Sequence, residues 1–304
     1  QNQKVVNINV VEKPTGEVML GAGVGSDGGS VGFSVTENNF VGKGIKLSAS
    51  LRVSEDTIRG NLTTNTPNYM YTGKPLRTNI QSDVVDKMSD SGYEAKKTGF
   101  SFGTTVERYE DLFFSPTFSS YYENLTTNST ASSNLKKQAG SYFETAFGYN
   151  IDYDKRNQKW QTSEGYRSKF TQSIPIISDN WAMLNGYSFT KWIDFENDLI
   201  TKFDVYARAK NSITGDDVRV SERLHLPSKK LKGFVSRGIG PVDGDDFVGG
   251  NFTAALNFTS TLPMILQSLE NVDMRFFIDA ANVWGVDYRD NYDDSNKIRS
   301  STGI

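Results

Sequence analysis

The chain is 304 residues long, 37% hydrophobic and 23% charged, with a formal net charge of -3 and no cysteine. Without cysteine there is no disulfide framework and no thiolate metal site, and mixed charges without a basic face speak against a nucleic-acid partner. No apolar run approaches the roughly 18 residues of a membrane helix; a membrane barrel stays open, because only alternate residues of its strands meet lipid.

The dominant period along the chain is two, which puts alternate side chains on opposite faces of a strand. Residues 5–11 read as a short strand, followed by Pro14. Strands are then expected at Gly16–Gly25, 30–38, 45–53, 59–67, 76–88, 97–108, 112–123 and 142–153. In the last of these Phe143, Phe147, Tyr149, Ile151 and Tyr153 oppose Glu144, Asn150 and Asp152. Further strands follow at 165–174, 181–192 and 199–210, where Phe203, Val205, Ala207 and Ala209 oppose Lys202, Asp204, Tyr206, Arg208 and Lys210. The clearest alternation runs over 251–262, with Phe252, Ala254, Leu256, Phe258 and Leu262 on one side. Over 272–280, Val272, Met274, Phe276 and Ile278 oppose Asp273, Arg275 and Asp279. These make about thirteen strands, most of them near or above the roughly 9–11 residues that cross a membrane. The fold class is therefore all-β, a transmembrane antiparallel β-barrel.

Between the strands, short turns (residues 27–29, 39–44 and 175–180) and longer polar segments (124–139, 154–164 and 213–250) read as the two ends of such a barrel. Tyr69, Tyr71, Tyr121, Tyr122, Trp160, Trp181, Trp192 and Trp284 sit near strand ends and are expected to form interfacial girdles; the plainer reading is cross-strand pairing in a soluble sheet. No leader precedes Gln1, although export requires one. Residues 300–304 read as a strand just beginning, and an unpaired edge in lipid leaves backbone groups unsatisfied. Both ends are expected to be cuts in a longer chain.

Four blocks resemble motifs of the BamA/TamA superfamily of outer-membrane barrels: Leu231-Lys232-Gly233-Phe234, with Lys where Arg is usual; Gly240-Pro241; Phe247-Val248-Gly249-Gly250-Asn251; and Phe277-Ile278-Asp279-Ala280-Ala281-Asn282-Val283-Trp284, with Ala281 where Gly is usual. Asn39-Phe40-Val41-Gly42-Lys43-Gly44 resembles the first periplasmic turn of that family. The resemblance implies about sixteen strands when complete. Residues 1–15 would be the last strand and linker of a periplasmic POTRA domain, and 16–304 the barrel, incomplete at its C-terminus. It further implies a Gram-negative outer-membrane insertase. Its partners would be unfolded β-barrel proteins as substrates, the lipid bilayer with its lipopolysaccharide, and accessory periplasmic lipoproteins docked on POTRA domains.

Two candidate sites follow. By itself Lys232 reads as a solvated loop cation. With the motif set, the long loop is expected to fold into the lumen and pair Lys232 with Asp279, beside Gly233 and Phe234; the alternation puts Asp273 and Arg275 on the same face, where they extend the network. A buried charge persists only when paired. The second site is the first strand, Gly16, Val18, Leu20, Gly21, Gly23 and Gly25. Glycine weakens a strand interior, and a loose first strand suits a lateral gate that accepts an incoming strand by β-augmentation. The alternative is that these glycines relieve crowding in a curved sheet.

No catalytic group, cofactor or metal is expected. His225, the single histidine, has no nucleophile motif beside it, and Gly21 to Gly29 lacks the Lys-Ser/Thr of a phosphate loop. Asp243, Asp245 and Asp246 read as an acidic surface loop rather than a calcium site. Competing functions are a TamA-like insertase, a two-partner secretion transporter, a passive porin and a soluble β-sandwich adhesin.

Overall fold

A computed structural model describes residues 10–11, 13–25, 28–195, 199–262, 274–288, 292–294 and 296–304. The strands are β1 (Gly16–Gly25), β2 (Gly28–Phe40), β3 (Ile45–Ser54), β4 (Thr57–Thr66), β5 (Leu76–Lys87), β6 (Tyr93–Gly103), β7 (Val106–Tyr109), β8 (Leu112–Thr127) and β9 (Gly140–Asp154). There follow β10 (Gly165–Ser178), β11 (Ala182–Asp194), β12 (Ile200–Ser212), β13 (Val242–Asp243), β14 (Asp246–Phe247), β15 (Phe252–Thr261), β16 (Arg275–Trp284) and β17 (Arg299–Gly303). One sheet runs β1-β2-β3-β4-β5-β6-β8-β9-β10-β11-β12-β15-β16-β17, with β7 also on β8 and β13–β14 a separate hairpin. Every neighbour along that path is antiparallel, so successive connections alternate between the two ends of the wall. Among the described residues no helix is long and apolar enough to cross a membrane, which says nothing against crossing by strands.

The registers sort the side chains as the alternation predicts. Phe203, Phe258 and Ile278 line up across β12, β15 and β16, as do Val205 and Leu256. Leu256 is 51% and Phe258 37% exposed, whereas Asp279 on the opposite face is 0% exposed. An apolar outer face over so many strands is far larger than the few hundred Å² a soluble monomer exposes; it is the hydrocarbon-facing band of a membrane barrel. The soluble-sandwich reading fails here, because the buried apolar clusters lie on the inner face beneath the long loop. One joins Tyr93, Ala95, Leu125, Leu135, Val220 and Val248. The other joins Leu226, Leu231, Ile239, Ala255, Ala281 and Val283.

Several expectations are corrected. The strand at 97–108 is two: β6 starts at Tyr93 and ends at Gly103, and β7 folds back on β8. Pro175 is not in a turn. β10 continues to Ser178 and absorbs the missing proline N–H with a register shift between Pro175 and Ile177. Short and long connections do not segregate, since the tight 178–182 turn shares an end of the wall with the 212–252 loop while 154–165 lies at the other. Two girdle candidates face the lumen. The Tyr121 ring lies 4.8 Å from Lys97 Nζ, and Trp192 pairs with Lys202 on the inner face with the Arg156 guanidinium 5.7 Å from its ring.

Candidate functional site

The loop between β12 and β15 is built from two single 3-10 turns, Val220–Glu222 and Ser228–Lys230, and the β13–β14 hairpin. It is polar by composition, yet Val218, Val220, Leu231 and Val248 are buried. The loop is therefore a plug, whose apolar residues pack against the inner wall.

Leu231 leaves the second 3-10 turn in an extended conformation and buries in the cluster over Ala255, Ala281 and Val283, with Phe234 packed against it. Between them Gly233 takes φ +81, a left-handed conformation that costs any residue with a Cβ. This reversal sets Lys232 on β16. Its Nζ is 3.0 Å from Asp279 Oδ2 and 3.3 Å from Oδ1, and its backbone N–H donates to Oδ2 at 3.2 Å. The Phe277 ring lies 4.2 Å from the same ammonium. Asn257 on β15 donates to Asp279 Oδ1 at 2.8 Å and to the Lys230 carbonyl at 2.7 Å. Lys230 pairs with Asp204 on β12, which also accepts from Thr190 at 2.7 Å. Gly240, at φ +109, is held so close to Val283 that a Cβ would meet its Cγ1 at 2.9 Å.

A second anchor holds the first part of the plug. The Glu222 carboxylate receives Lys210 Nζ from β12 at 2.7 Å, Arg219 Nη2 at 2.7 Å and Lys97 Nζ from β6 at 3.5 Å. Arg219 reaches Glu144 on β9 at 3.6 Å and lies 4.5 Å from the Tyr142 ring. The Ser221 hydroxyl donates to Glu123 on β8, and the Val220 N–H to Gln138 Oε1 at 2.8 Å. Burial by itself would raise the Glu222 carboxyl, but Lys210, Arg219 and Lys97 overcome it and hold the group well below the usual carboxylate range. From outside, Asp287 accepts from the Val218 N–H at 2.7 Å and from Asn251 Nδ2 at 2.8 Å.

Of the residues singled out in the sequence, Lys232, Gly233, Phe234 and Asp279 come together. Arg275 shares the inner face of β16 with Asp279, and Asp273 lies outside the described residues. In β1, Val18 and Leu20 pair with Val35 and Phe33 on the outer face, which puts Gly21, Gly23 and Gly25 on the inner one. Among the described residues a Cβ at Gly21 or Gly23 would meet no atom within 4 Å, and at Gly16 it would meet Glu37 Oε2 at 3.4 Å. His225 accepts from Arg237 at 2.6 Å and stands beside no nucleophile. Asp243 is not on the surface: it is 1% exposed and accepts from Ser132 at 2.7 Å and Asn134 at 3.3 Å. Among the described residues no group of acidic or histidine side chains is arranged to hold a metal ion.

The sequence reading missed the Glu222 anchor. The inward parity of Lys97, Glu144 and Lys210 was available from their strands, but Arg219 and Glu222 lie in a loop without period.

The Omp85 superfamily domain model matches residues 39–304. The chain is 25% identical to the outer membrane protein assembly factor BamA of Neorickettsia risticii, over 98% of this chain and 41% of that protein. It is 25% identical to a SAM50-like protein of Schizosaccharomyces pombe, over 85% of this chain and 56% of that one. The chain thus spans about half the length of these curated relatives. Among solved structures, BamA from Haemophilus ducreyi lacking POTRA domains 1–3 superposes with a TM-score of 0.83 at 20% identity, over 96% of this chain and 64% of that one. CdiB from Acinetobacter baumannii gives 0.50 at 11% identity, over 90% and 50%. At these identities the two structures show a common fold.

Proposed function

The chain belongs to the Omp85 superfamily, and on that premise we propose that it is the barrel of a BamA-type insertase, which folds other β-barrel proteins into the outer membrane. The chain itself is an outer-membrane β-barrel protein of the Gram-negative type. The observation that carries the proposal is the state of β1. Among the described residues that strand pairs with β2, its outer residues Val18, Leu20 and Val24 are well exposed, and its inner face carries Gly21 and Gly23, with open space around them, beside Glu17 and Met19. Glycine weakens a strand interior, and a strand so loosened suits pairing with an incoming strand by β-augmentation. Nothing covalent is needed; burial of the substrate's apolar face in lipid drives the step. On this reading residues 1–15 lead from a POTRA domain, accessory periplasmic lipoproteins dock on such domains, and lipopolysaccharide forms part of the surrounding bilayer.

A two-partner secretion transporter needs an extended chain to pass through the lumen, and a porin needs open water there. The cross-lumen contacts of Glu222 and Lys232 stand in that path. The test is reconstitution of the full-length protein in lipid vesicles, with an unfolded small barrel protein added and its folding followed by heat-modifiable gel mobility. Folding faster than in empty vesicles is expected. Equal rates would overturn the insertase reading, and a large steady conductance of the unmodified protein in planar bilayers would favour a porin.

A further inference from the structure

Between the plug and the inner wall lies a cavity of about 380 Å³ lined by strand residues that include Asp83, Lys97, Glu123 and Arg208, and by plug residues that include Arg223, His225 and Arg237. Its acidic side chains are already engaged. Asp83 takes Arg59 at 3.0 Å and Gln81 at 2.7 Å, and Glu123 takes the Ser221 hydroxyl. Lys97 is spent on Glu222. Three guanidinium groups are left, and among the described residues none has a carboxylate oxygen within 4.0 Å.

Their partners are neutral. Arg223, only 4% exposed, donates Nε to the Val218 carbonyl and Nη1 to the Tyr288 hydroxyl, each at 3.1 Å, and its Nη2 is buried with no partner. Arg237 donates Nη2 to Tyr93 at 2.9 Å and to His225 Nε2 at 2.6 Å, and its Nε is likewise buried and unpartnered. The Arg208 guanidinium lies 5.4 Å from the Tyr206 ring. Burial first, and then Arg237 and Arg223, hold the His225 imidazole well below its ordinary value, so it remains neutral and adds no charge.

Arg223 is a buried cation without counter-charge, which is costly, while Arg237 is half-buried and Arg208 exposed toward the lumen; planar guanidinium forks match oxyanions with two or more oxygens. We propose that this cavity is a binding site for a phosphate group, held by Arg208, Arg223 and Arg237. The wall strands separate the cavity from the bilayer, so the phosphate belongs to a small polar molecule, either inorganic phosphate or a headgroup-sized phosphoester.

The experiment titrates the folded full-length protein in detergent with inorganic phosphate, with glycerol phosphate as the headgroup arm, and with acetate and chloride at equal ionic strength, reading heat by calorimetry and the thermal unfolding midpoint. Saturable binding of phosphate or glycerol phosphate, with a raised midpoint, is expected, and Arg208→Gln and Arg237→Gln should each weaken it at least tenfold. A preference for glycerol phosphate assigns the headgroup source, and equal affinity assigns free phosphate. Should Arg237→Gln not fold, Arg208→Lys decides, because it keeps the charge and loses the fork: several-fold weaker binding supports the site. No response beyond that to chloride, or binding unchanged in the folded variants, overturns it.

Discussion

Asn257 and Asp279 face each other across β15 and β16, and the Asn257 amide joins the Asp279 carboxylate to the Lys230 backbone carbonyl of the plug. The carboxylate is thus held by the wall before Lys232 arrives. Because both of its oxygens lie within 3.3 Å of Lys232 Nζ, Lys232→Arg has a fork to satisfy and should preserve both plug retention and substrate folding. Lys232→Glu sets two carboxylates together and should release the plug. Open-channel events in planar bilayers for the glutamate variant and none for the arginine variant are the expected pair of results.

Glu222→Gln leaves Lys97, Lys210 and Arg219 without their shared carboxylate. Removing one partner from a buried ion cluster costs about 3–5 kcal/mol. The expected readouts are a lower thermal midpoint and a conductance at least as high as that of Lys232→Glu, since the first part of the plug loses its ties to β6 and β12. A closed channel in Glu222→Gln would show that the Lys232 pair alone retains the plug.

The same carboxylate sets an acid limb. Its folded value lies below the 4.5 of an unperturbed glutamate, so its contribution is fully present above that pH and is lost as pH falls toward the folded value. Stability measured by unfolding in lipid vesicles should therefore decline below about pH 4.5, and the decline should be shallower in Glu222→Gln.

Leu256 lies in the middle of the outer apolar band, flanked by Val205 and Ala280. Leu256→Arg should destabilise the barrel by about 2–4 kcal/mol, the cost of arginine near a bilayer midplane. Ser50, on the hydrated inner face between Ser34 and Asn61, should accept Glu within about 0.5 kcal/mol. Urea unfolding of both variants in vesicles checks the contrast.

Gly21→Ala and Gly23→Ala have room for the added methyl. They should fold normally and lower the rate of substrate folding by stiffening β1, with the double variant slower than either single one. Unchanged rates in vesicles would remove the glycines from the gate.

The wall was legible in the sequence because alternation is a local property: Phe203, Leu256 and Phe258 point outward wherever their partners lie. Strand ends were less legible. Thr104 and Thr105 divide β6 from β7 with Gly103 as the single turn-forming residue at the break, and Pro175 is accommodated inside β10 by a register shift. Lys232 and Asp279 were found through motif resemblance combined with parity. Glu222 was not, since its burial depends on where a long irregular segment lands, and that is fixed by strands distant in sequence. Asp243 went wrong for the same reason: nothing local places Ser132 and Asn134 over it.

The ion pairs and side-chain hydrogen bonds that fix the plug to the wall end on β6, β8, β9, β12, β15 and β16. That arc is cross-braced, like a tube with struts on one side. Among the described residues none of these struts reaches the arc from β1 to β4, whose curvature rests on ladder hydrogen bonds, cross-strand side-chain bonds such as Thr36–Ser48, and short turns. Under lateral load from the bilayer the two arcs deform unequally, and bending concentrates on the unbraced side, so the barrel has a built-in direction of compliance toward its first strand.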